Sequence, residues 1–145
     1  MSLLSKYSNP FTLMRLGIMG MNQRNVNYIG RYNKRRLYPL VDNKLLTKKM
    51  AIEHKVNVPH LVGAVRNQVD AQNIVSIIGD RKEFCIKPAQ GSGGKGILVI
   101  TGREDKYFIK ASGQMINIHD LRRHVSNILA GLFSLGGKPD IALIE

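Results

Sequence analysis

The sequence predicts an α+β protein in which a helical segment precedes a small antiparallel sheet with helices. Three observations lead to this class. Apolar residues recur at helical spacing over residues 11–18 and again over residues 119–135. Between these helices, the apolar runs at residues 84–87 and 97–101 flank a glycine-rich loop and predict a β-hairpin. We therefore expect a helical lead over residues 1–40 and an α+β region over residues 41–145.

Residues that disfavour helix formation separate the predicted helices of the first half. These helices cover residues 11–18, 22–31 and 43–54. Gly20 separates the first two, and Pro39 interrupts the pattern before the third. Asp42 stands where an N-cap side chain is expected for the third helix, which should bury Leu46 and Met50.

The second half alternates predicted strands with two helices. Strands are expected at residues 61–65, 84–87, 97–101, 106–110, 114–118 and 140–145, and helices at residues 67–78 and 119–135. Pro59 excludes a helix before the first of these strands. Gly79 is a typical helix terminator, and Gly136 and Gly137 are expected to have that role for the last helix. The sequence stops within the last predicted strand.

The composition favours a globular protein with an anionic partner. There are 22 Lys and Arg against 10 Asp and Glu, which gives a formal net charge of +12. The densest basic run, residues 31–36, fits a solvated surface equally well. The only cysteine, Cys85, lies in an apolar run and is expected to be a buried, reduced thiol. Because no apolar stretch approaches the roughly 20 residues that span a membrane, we expect a cytoplasmic protein without a membrane partner.

The glycine-rich loop is the strongest candidate for a binding site. Gly91, Gly93 and Gly96 match the pattern G-x-G-x-x-G. A dinucleotide-binding fingerprint requires a helix after the loop, but the strand-like sequence ILVITG follows here. A Walker A loop is excluded because its first glycine would fall at Ala89. Two interpretations remain: a hairpin tip that folds over phosphates with Ser92 as a further donor, and a mobile hairpin without a ligand.

The residues around this loop resemble the ATP-grasp superfamily. The segment CIKPAQGSGGKGILVI is similar to that superfamily's strand–loop–strand, in which a lysine–proline pair precedes a Gly/Ser-rich lid. The upstream segment VDNKLLTKKMAIEHKVNVP resembles its Asp-x-Lys helix start and the strand that follows. Within the superfamily, the chain most resembles the α-L-glutamate ligase-like proteins, which are related to enzymes that add glutamate to a ribosomal protein. The resemblance extends over most of the chain from Met21 onward.

The resemblance implies an ATP site and the residues that form it. Lys44 matches the first ATP-contacting lysine, near the α-phosphate, and Lys87 matches the second, between the phosphates and the adenine. Glu145 matches the position where the chain enters the adenine-binding hinge. The lid over the β- and γ-phosphates corresponds to Gly91, Ser92, Gly93, Gly94 and Gly96. No catalytic residue is assigned, and no metal ligand either, because His119 and His124 stand five residues apart and do not share a helix face.

The resemblance also implies a reaction and its cofactors. In this superfamily ATP phosphorylates a carboxylate to an acyl phosphate, and an amine then attacks to form an amide. Glutamate and an acceptor amine or carboxylate would be the substrates, and Mg²⁺ would bridge the phosphates. The Mg²⁺ ligands lie beyond the adenine hinge, whereas residues 41–145 correspond to the N-terminal, lid-bearing half of the domain. We therefore expect ATP binding, Mg²⁺ only in the full-length protein, and no turnover by this chain alone.

An alternative from another functional class is a basic, non-enzymatic module that binds nucleic acid or another polyanion. Its surface would be the run RYNKRR, residues 31–36, and steep salt dependence would be its signature. Few aromatic residues accompany this run, and no nucleic-acid-binding signature is present. A kinase-like phosphotransferase is disfavoured because its catalytic-loop and metal-binding motifs are missing. Association into homo-oligomers through an unfinished sheet edge stays open.

Overall fold

Short helices and a six-stranded sheet make up the described part of the chain, residues 8–145, in a computed structural model. The α-helices are α1 (Pro10–Arg15), α2 (Met21–Gln23), α3 (Gly30–Tyr32), α4 (Pro39–Asp42), α5 (Lys44–Glu53), α6 (Gln68–Gln72), α7 (Ile74–Ile78) and α8 (Ile118–Leu129). The strands are β1 (Gly63–Val65), β2 (Phe84–Pro88), β3 (Leu98–Glu104), β4 (Tyr107–Lys110), β5 (Met115–Ile116) and β6 (Ala142–Ile144). The chain divides into two units, one up to Pro39 and one from Leu40 to Glu145.

The first unit is helical, and none of its described residues is buried. Asn9 caps α1, because its side chain accepts a hydrogen bond from the Phe11 N–H at 2.9 Å. The helix predicted over residues 22–31 is present as α2 and α3, joined by π-helical turns over Arg24–Ile29. Within residues 8–145, no helix is both long and apolar enough to cross a bilayer.

The second unit is built on one antiparallel sheet with the strand order β1-β6-β2-β3-β4-β5. This arrangement of helices and an open antiparallel sheet confirms the predicted α+β class. The strand that is last in sequence, β6, lies inside the sheet between β1 and β2. The main core joins the sheet to α6, α7 and α8, and its fully buried residues include Val65, Ile74, Ile86, Ile100, Val125, Ile128 and Ile144.

The alternation of side chains along β2 separates the core from the opposite face of the sheet. Phe84 and Ile86 belong to the main core with α8. Cys85 and Lys87 therefore point to the other face, since successive side chains of a strand alternate. On that face, Leu143 of β6 forms a smaller cluster with Leu45 of α5. The strand period thus places Lys87 beside α5, outside the main core.

The start and the buried face of α5 differ from the prediction. The N-cap is Asn43 rather than Asp42, because the Asn43 side chain accepts hydrogen bonds from the first turn. The predicted core residues Leu46 and Met50 are 39% and 37% exposed. The residues that face the sheet are Leu45 and Lys48, three apart on the helix and 5% and 6% exposed. The period of the apolar residues does not predict the burial of Lys48, because that burial depends on a carboxylate, Glu145, which is distant in sequence.

Two later helices also differ from the prediction, one by an interruption and one by an earlier end, although Ile78 and Gly79 end the first of them as predicted. The helix expected over residues 67–78 is divided at Asn73, which leaves the helical conformation with φ −91° and ψ 15°. The helix expected over residues 119–135 ends at Leu129. Gly131 follows with φ +80°, and a Cβ there would lie 2.2 Å from the Lys138 carbonyl oxygen. Gly131, and not Gly136 or Gly137, is therefore the residue that allows the chain to leave the helix.

This early helix end makes a prediction about two apolar residues that the helical period had placed on one face. Ile128 is fully buried and Leu132 is 69% exposed. We expect Ile128→Ala to lower the free energy of unfolding by about 2 to 5 kcal/mol, because it leaves a cavity in the main core. Leu132→Ala should change it by less than about 0.5 kcal/mol. Urea unfolding of both variants tests this, and equal losses would contradict the position of the helix end.

Candidate functional site

Lys44 connects the start of α5 to the beginning of the glycine loop, residues 89–97. Its backbone N–H donates a hydrogen bond to the Ala89 carbonyl at 2.9 Å, because a first-turn amide has no acceptor within its own helix. Its ammonium group donates to the same carbonyl at 3.4 Å and to the Gly91 carbonyl. The Asn43 cap thus sets where α5 begins and, with it, where the Lys44 charge lies.

A buried carboxylate holds two further lysines. Glu145 follows β6, and its side chain is 8% exposed. One carboxylate oxygen lies 2.6 Å from Nζ of Lys48, and the other accepts a hydrogen bond from Nζ of Lys87. Lys48 also donates to the Pro59 carbonyl. Because two ammonium groups share one carboxylate, the cluster of Lys48, Lys87 and Glu145 keeps a net positive charge.

The charge state of this cluster follows from competing effects on Glu145. Burial raises the pKa of the Glu145 carboxyl, but the hydrogen bonds and charges of Lys48 and Lys87 outweigh burial, and the net shift is downward. The carboxylate is therefore ionised at neutral pH. Cys85, on the same face of β2 as Lys87, is only partly buried, which corrects the prediction of a buried thiol. Burial is still the largest effect on Cys85 and raises the pKa of its thiol, so the thiol is protonated at neutral pH.

The two ends of the glycine loop are fixed, whereas its tip is open. Gly91 forms an isolated antiparallel bridge with Ser134. Gly96 lies against Phe133, and a Cβ at Gly96 would stand 2.6 Å from the phenyl ring. At the tip, Gly93 and Gly94 have φ values of +62° and +74°, and a Cβ at either position would have no heavy atom within 4 Å. Glycine is therefore required for close packing at the ends and for conformation at the tip, and at Gly96 for both, because its φ is +77°.

A buried aspartate anchors the residue that leads into the loop. Asp140 is 5% exposed, and both of its carboxylate oxygens accept a hydrogen bond from the Gln90 N–H, at 2.9 and 3.1 Å. It also accepts from the Ile141 N–H at 2.7 Å. Its charge is thus used to satisfy backbone amides. Within residues 8–145, no three His, Cys, Asp or Glu side chains are grouped closely enough to hold a metal ion.

Two neighbouring cavities meet at Lys44 and Lys87. The first, of about 140 Å³, lies under the glycine loop and is lined by both lysines, Lys95 and the loop backbone. The second, of about 270 Å³, lies between α5 and the sheet, and its lining includes both lysines together with Lys48 and Glu145. Lysine is the only ionisable residue type on the first cavity, so this cavity suits an anion.

The structure brings all the residues predicted for the site into this one region of the second unit. Lys44, Lys87 and loop residues 91–94 line the first cavity, and Glu145 lines the second. Gly96 is not part of the lining of either cavity and lies against Phe133. Three contributing residues were not predicted: Lys48, Asp140 and His124, which contacts Gly96. Lys48 and Asp140 stand out only as charged residues within apolar segments, a signal that does not identify their partners.

The pairing of Glu145 predicts an acid-dependent loss of stability. The pKa of this carboxyl is lowered in the folded protein, so the unfolded chain, with a pKa near 4.5, binds the proton more tightly. The resulting stabilisation is complete well above pH 4.5 and is lost as the pH falls towards the lower folded value. We expect a smaller loss of unfolding free energy between pH 7 and pH 4 in Glu145→Gln than in the parent, measured with urea. Equal losses would argue against the ion pairs.

The two kinds of loop glycine predict different responses to alanine. Gly94→Ala should cost about 1 to 2 kcal/mol of unfolding free energy, because only the left-handed backbone is unfavourable. Gly96→Ala should cost more, since its Cβ also meets Phe133. In a Phe133→Ala background this excess should disappear, which a double-mutant cycle by urea unfolding measures. An excess that persists in that background would exclude the contact as its cause.

Comparison with known families identifies the group to which this site belongs. The sugar-transfer associated ATP-grasp family matches residues 23–145, most of the chain. Comparisons with curated proteins and with solved structures gave no significant match. The predicted membership of the ATP-grasp superfamily is confirmed, and with it an ATP-binding module of ligase type. The narrower assignment to glutamate ligase-like proteins stays a prediction. The chain belongs to the sugar-transfer associated ATP-grasp family.

Proposed function

We propose that the second unit binds ATP with the phosphates beneath the glycine loop and the base beside Glu145, as part of a carboxylate–amine ligase. One observation carries this proposal: Lys44 and Lys87 line a single cavity together with the loop. Charge-assisted hydrogen bonds from two ammonium groups suit a chain of phosphates. Family membership supports the nucleotide, and the geometry supports these residues as its ligands.

The loop tip adds backbone donors to the two lysines. Within residues 8–145, no backbone hydrogen bond from the amides of Gly93, Gly94 or Gly96 to another residue is found. At the tip these amides are exposed, and no Cβ is present at the glycines to keep a ligand at a distance. Such a run of free amides is a common way to bind phosphate oxygens. The glycines of this loop are therefore proposed to act through their backbone, and Ser92 through its hydroxyl as well.

The neighbouring cavity has the character of a pocket for the base. Its walls include the apolar residues Val41, Ala51, Val58 and Pro59, and its polar lining includes Glu145 and the lysines that pair with it. An apolar slot with a few polar groups that fix orientation is typical of pockets for flat ligands. The proposed nucleotide thus extends from this slot to the glycine loop and passes between Lys44 and Lys87.

Lys87 is proposed to serve both the carboxylate and the phosphates. An ammonium group has three N–H donors, so one can remain on Glu145 while the others face the nucleotide. Lys48 keeps its own contact with the carboxylate and is 6% exposed. In this proposal Lys48 and Glu145 orient Lys87, and Lys44 orients the loop that covers the phosphates.

The proposed reaction is the formation of an amide through an acyl phosphate. A substrate carboxylate attacks the γ-phosphorus of ATP and ADP leaves; an amine then attacks the acyl carbon, phosphate leaves with the bonding electrons, and the nitrogen loses a proton. Glutamate as the added residue rests on the motif resemblance, since the matched family is described by sugar transfer. Mg²⁺ is proposed to accompany ATP through ligands other than the residues of this cavity.

We further propose that residues 41–145 are the lid-bearing half of an ATP-grasp domain and that the 145-residue chain alone does not turn ATP over. No carboxylate lines the cavity beneath the loop, so that cavity lacks the carboxylate ligands through which proteins usually bind Mg²⁺. The two lysines and the loop are sufficient for binding in this proposal, but they lack groups for the chemical step.

Removal of the Lys87 charge tests the nucleotide site. We expect Lys87→Met to weaken ATP binding at least about tenfold, because one or two charge-assisted hydrogen bonds are lost. Lys82→Met is the matched control: it removes the same charge from an exposed residue outside both cavities. Its affinity should stay close to that of the parent. Isothermal titration calorimetry with ATP measures all three proteins, after circular dichroism has established that each is folded.

The same experiment distinguishes a specific nucleotide site from the alternative, a basic module that binds polyanions through its general positive charge. Equal weakening by Lys87→Met and Lys82→Met, together with a steep loss of affinity at higher salt, would indicate binding by general positive charge. Unchanged affinity in Lys87→Met would remove this lysine from the site. No binding by the parent protein at millimolar ATP would overturn the nucleotide proposal for this chain.

A further inference from the structure

The trailing end of the glycine loop is held by a residue from α8. The ring of His124 approaches the Gly96 carbonyl, with 3.0 Å between Nε2 and the oxygen. Helix α8 packs on the core face of the sheet, whereas Lys87 lies on the opposite face. The contact therefore reaches the loop from behind the proposed nucleotide site.

The chemistry of this contact determines which nitrogen carries the hydrogen. A carbonyl oxygen only accepts, so Nε2 of His124 must be the donor. Burial is the largest effect on this imidazole and lowers its pKa, the bond to Gly96 acts in the other direction, and Lys110 lowers the pKa further. The ring is therefore neutral at pH 7 and protonated on Nε2 alone.

Phe133 completes the contact and links the two ends of the loop. The His124 and Phe133 rings lie 5.6 Å apart between centroids at an angle of 33°. Phe133 also lies directly under Gly96. The next residue, Ser134, bridges to Gly91 at the leading end. Residues 124, 133 and 134 thus fix both ends of the loop, and the span from 92 to 95 between them is left exposed.

We propose that His124 is a positioning residue for the glycine loop: its Nε2–H holds the Gly96 carbonyl and thereby fixes the trailing end, so that the tip amides stay over the cavity. The effect on loop order depends only on contacts within the second unit. The effect on ATP rests on the proposed function. A histidine that merely fills space would also pack on Phe133, so the test must separate the hydrogen bond from the packing.

Two substitutions at His124 make that separation. His124→Phe keeps an aromatic ring against Phe133 and loses the donor. His124→Gln places an amide N–H at about the reach of Nε2 and loses the ring. If the hydrogen bond holds the loop, His124→Phe loosens it and His124→Gln does not; packing alone would give the reverse order.

Limited trypsin digestion reports the order of the loop without a nucleotide. Lys95 is exposed within the loop, and cleavage of the Lys95–Gly96 bond requires the trailing end to open. We expect the rate of this cleavage to rise roughly 2- to 10-fold in His124→Phe, as the loss of one net hydrogen bond allows. In His124→Gln it should remain near the parent rate. Cleavage at Lys106, in the exposed turn between β3 and β4, is the internal reference and should not change.

A nuclear magnetic resonance signature supplements the digestion. Long-range ¹⁵N–¹H correlation in the parent should show the His124 ring with hydrogen on Nε2 and a bare Nδ1 at pH 7. A predominance of the Nδ1–H form would overturn the assignment of the donor. An unchanged Lys95 cleavage rate in His124→Phe would overturn the positioning role, and so would an equal rise in His124→Gln.

Calorimetry with ATP then distinguishes failure of this inference from failure of the proposed function. His124→Phe should weaken ATP binding severalfold while Lys87→Met weakens it more. If the rate of cleavage at Lys95 rises in His124→Phe but neither variant changes the affinity for ATP, the loop contact is supported and the proposed nucleotide site is contradicted. If only Lys87→Met changes the affinity, the site stands and the role of His124 in binding is overturned.

Discussion

The carboxylate of Glu145, buried between two lysines, is the interaction on which the candidate site depends. Lys48 is 6% exposed, and an ammonium group at that depth is tolerable because a carboxylate lies 2.6 Å away and the Pro59 carbonyl accepts a hydrogen bond from it. This pair holds α5 against β6, while Leu45 adds an apolar contact on the same helix face. Lys44 precedes Leu45 on that helix, so the pairing that buries Lys48 also brings Lys44 to the loop.

The period of a strand provides the second half of this arrangement. Ile86 is fully buried among helices, and its neighbour Lys87 must point the other way. Within the sequence IKP, residues 86–88, Ile86 therefore packs in the core and Lys87 contributes to the site. Because β6 lies inside the sheet, next to β2, the backbone of Glu145 exchanges hydrogen bonds with that of Cys85 at 2.7 and 2.9 Å. The register of β2 and β6 thus fixes the distance between Glu145 and Lys87.

Local features of the fold were predictable, whereas features that depend on distant partners were not. The hairpin, the glycine loop and the amphipathic part of α8 follow from residue types within short windows. The burial of Lys48 depends on Glu145, 97 positions later, and the position of Asp140 depends on an amide at Gln90. The contact of His124 was not predictable for the same reason: its partner, Gly96, lies on a different element. The lysines were located through motif resemblance, not through periodicity.

The loop joins the two faces of the sheet mechanically, and this has a thermodynamic consequence. The leading end of the loop is fixed to Lys44 and Ser134, and the trailing end is fixed to Phe133 on the core side of the sheet. The contact with Phe133, which packs against the main core, therefore also holds the tip. A ligand that binds the ordered loop alone stabilises the folded state by mass action. Ordering the tip costs conformational entropy, which weakens the affinity for the ligand. This cost is small because only residues 92 to 95 are exposed. The fixed ends leave only this tip to be ordered when a phosphate binds.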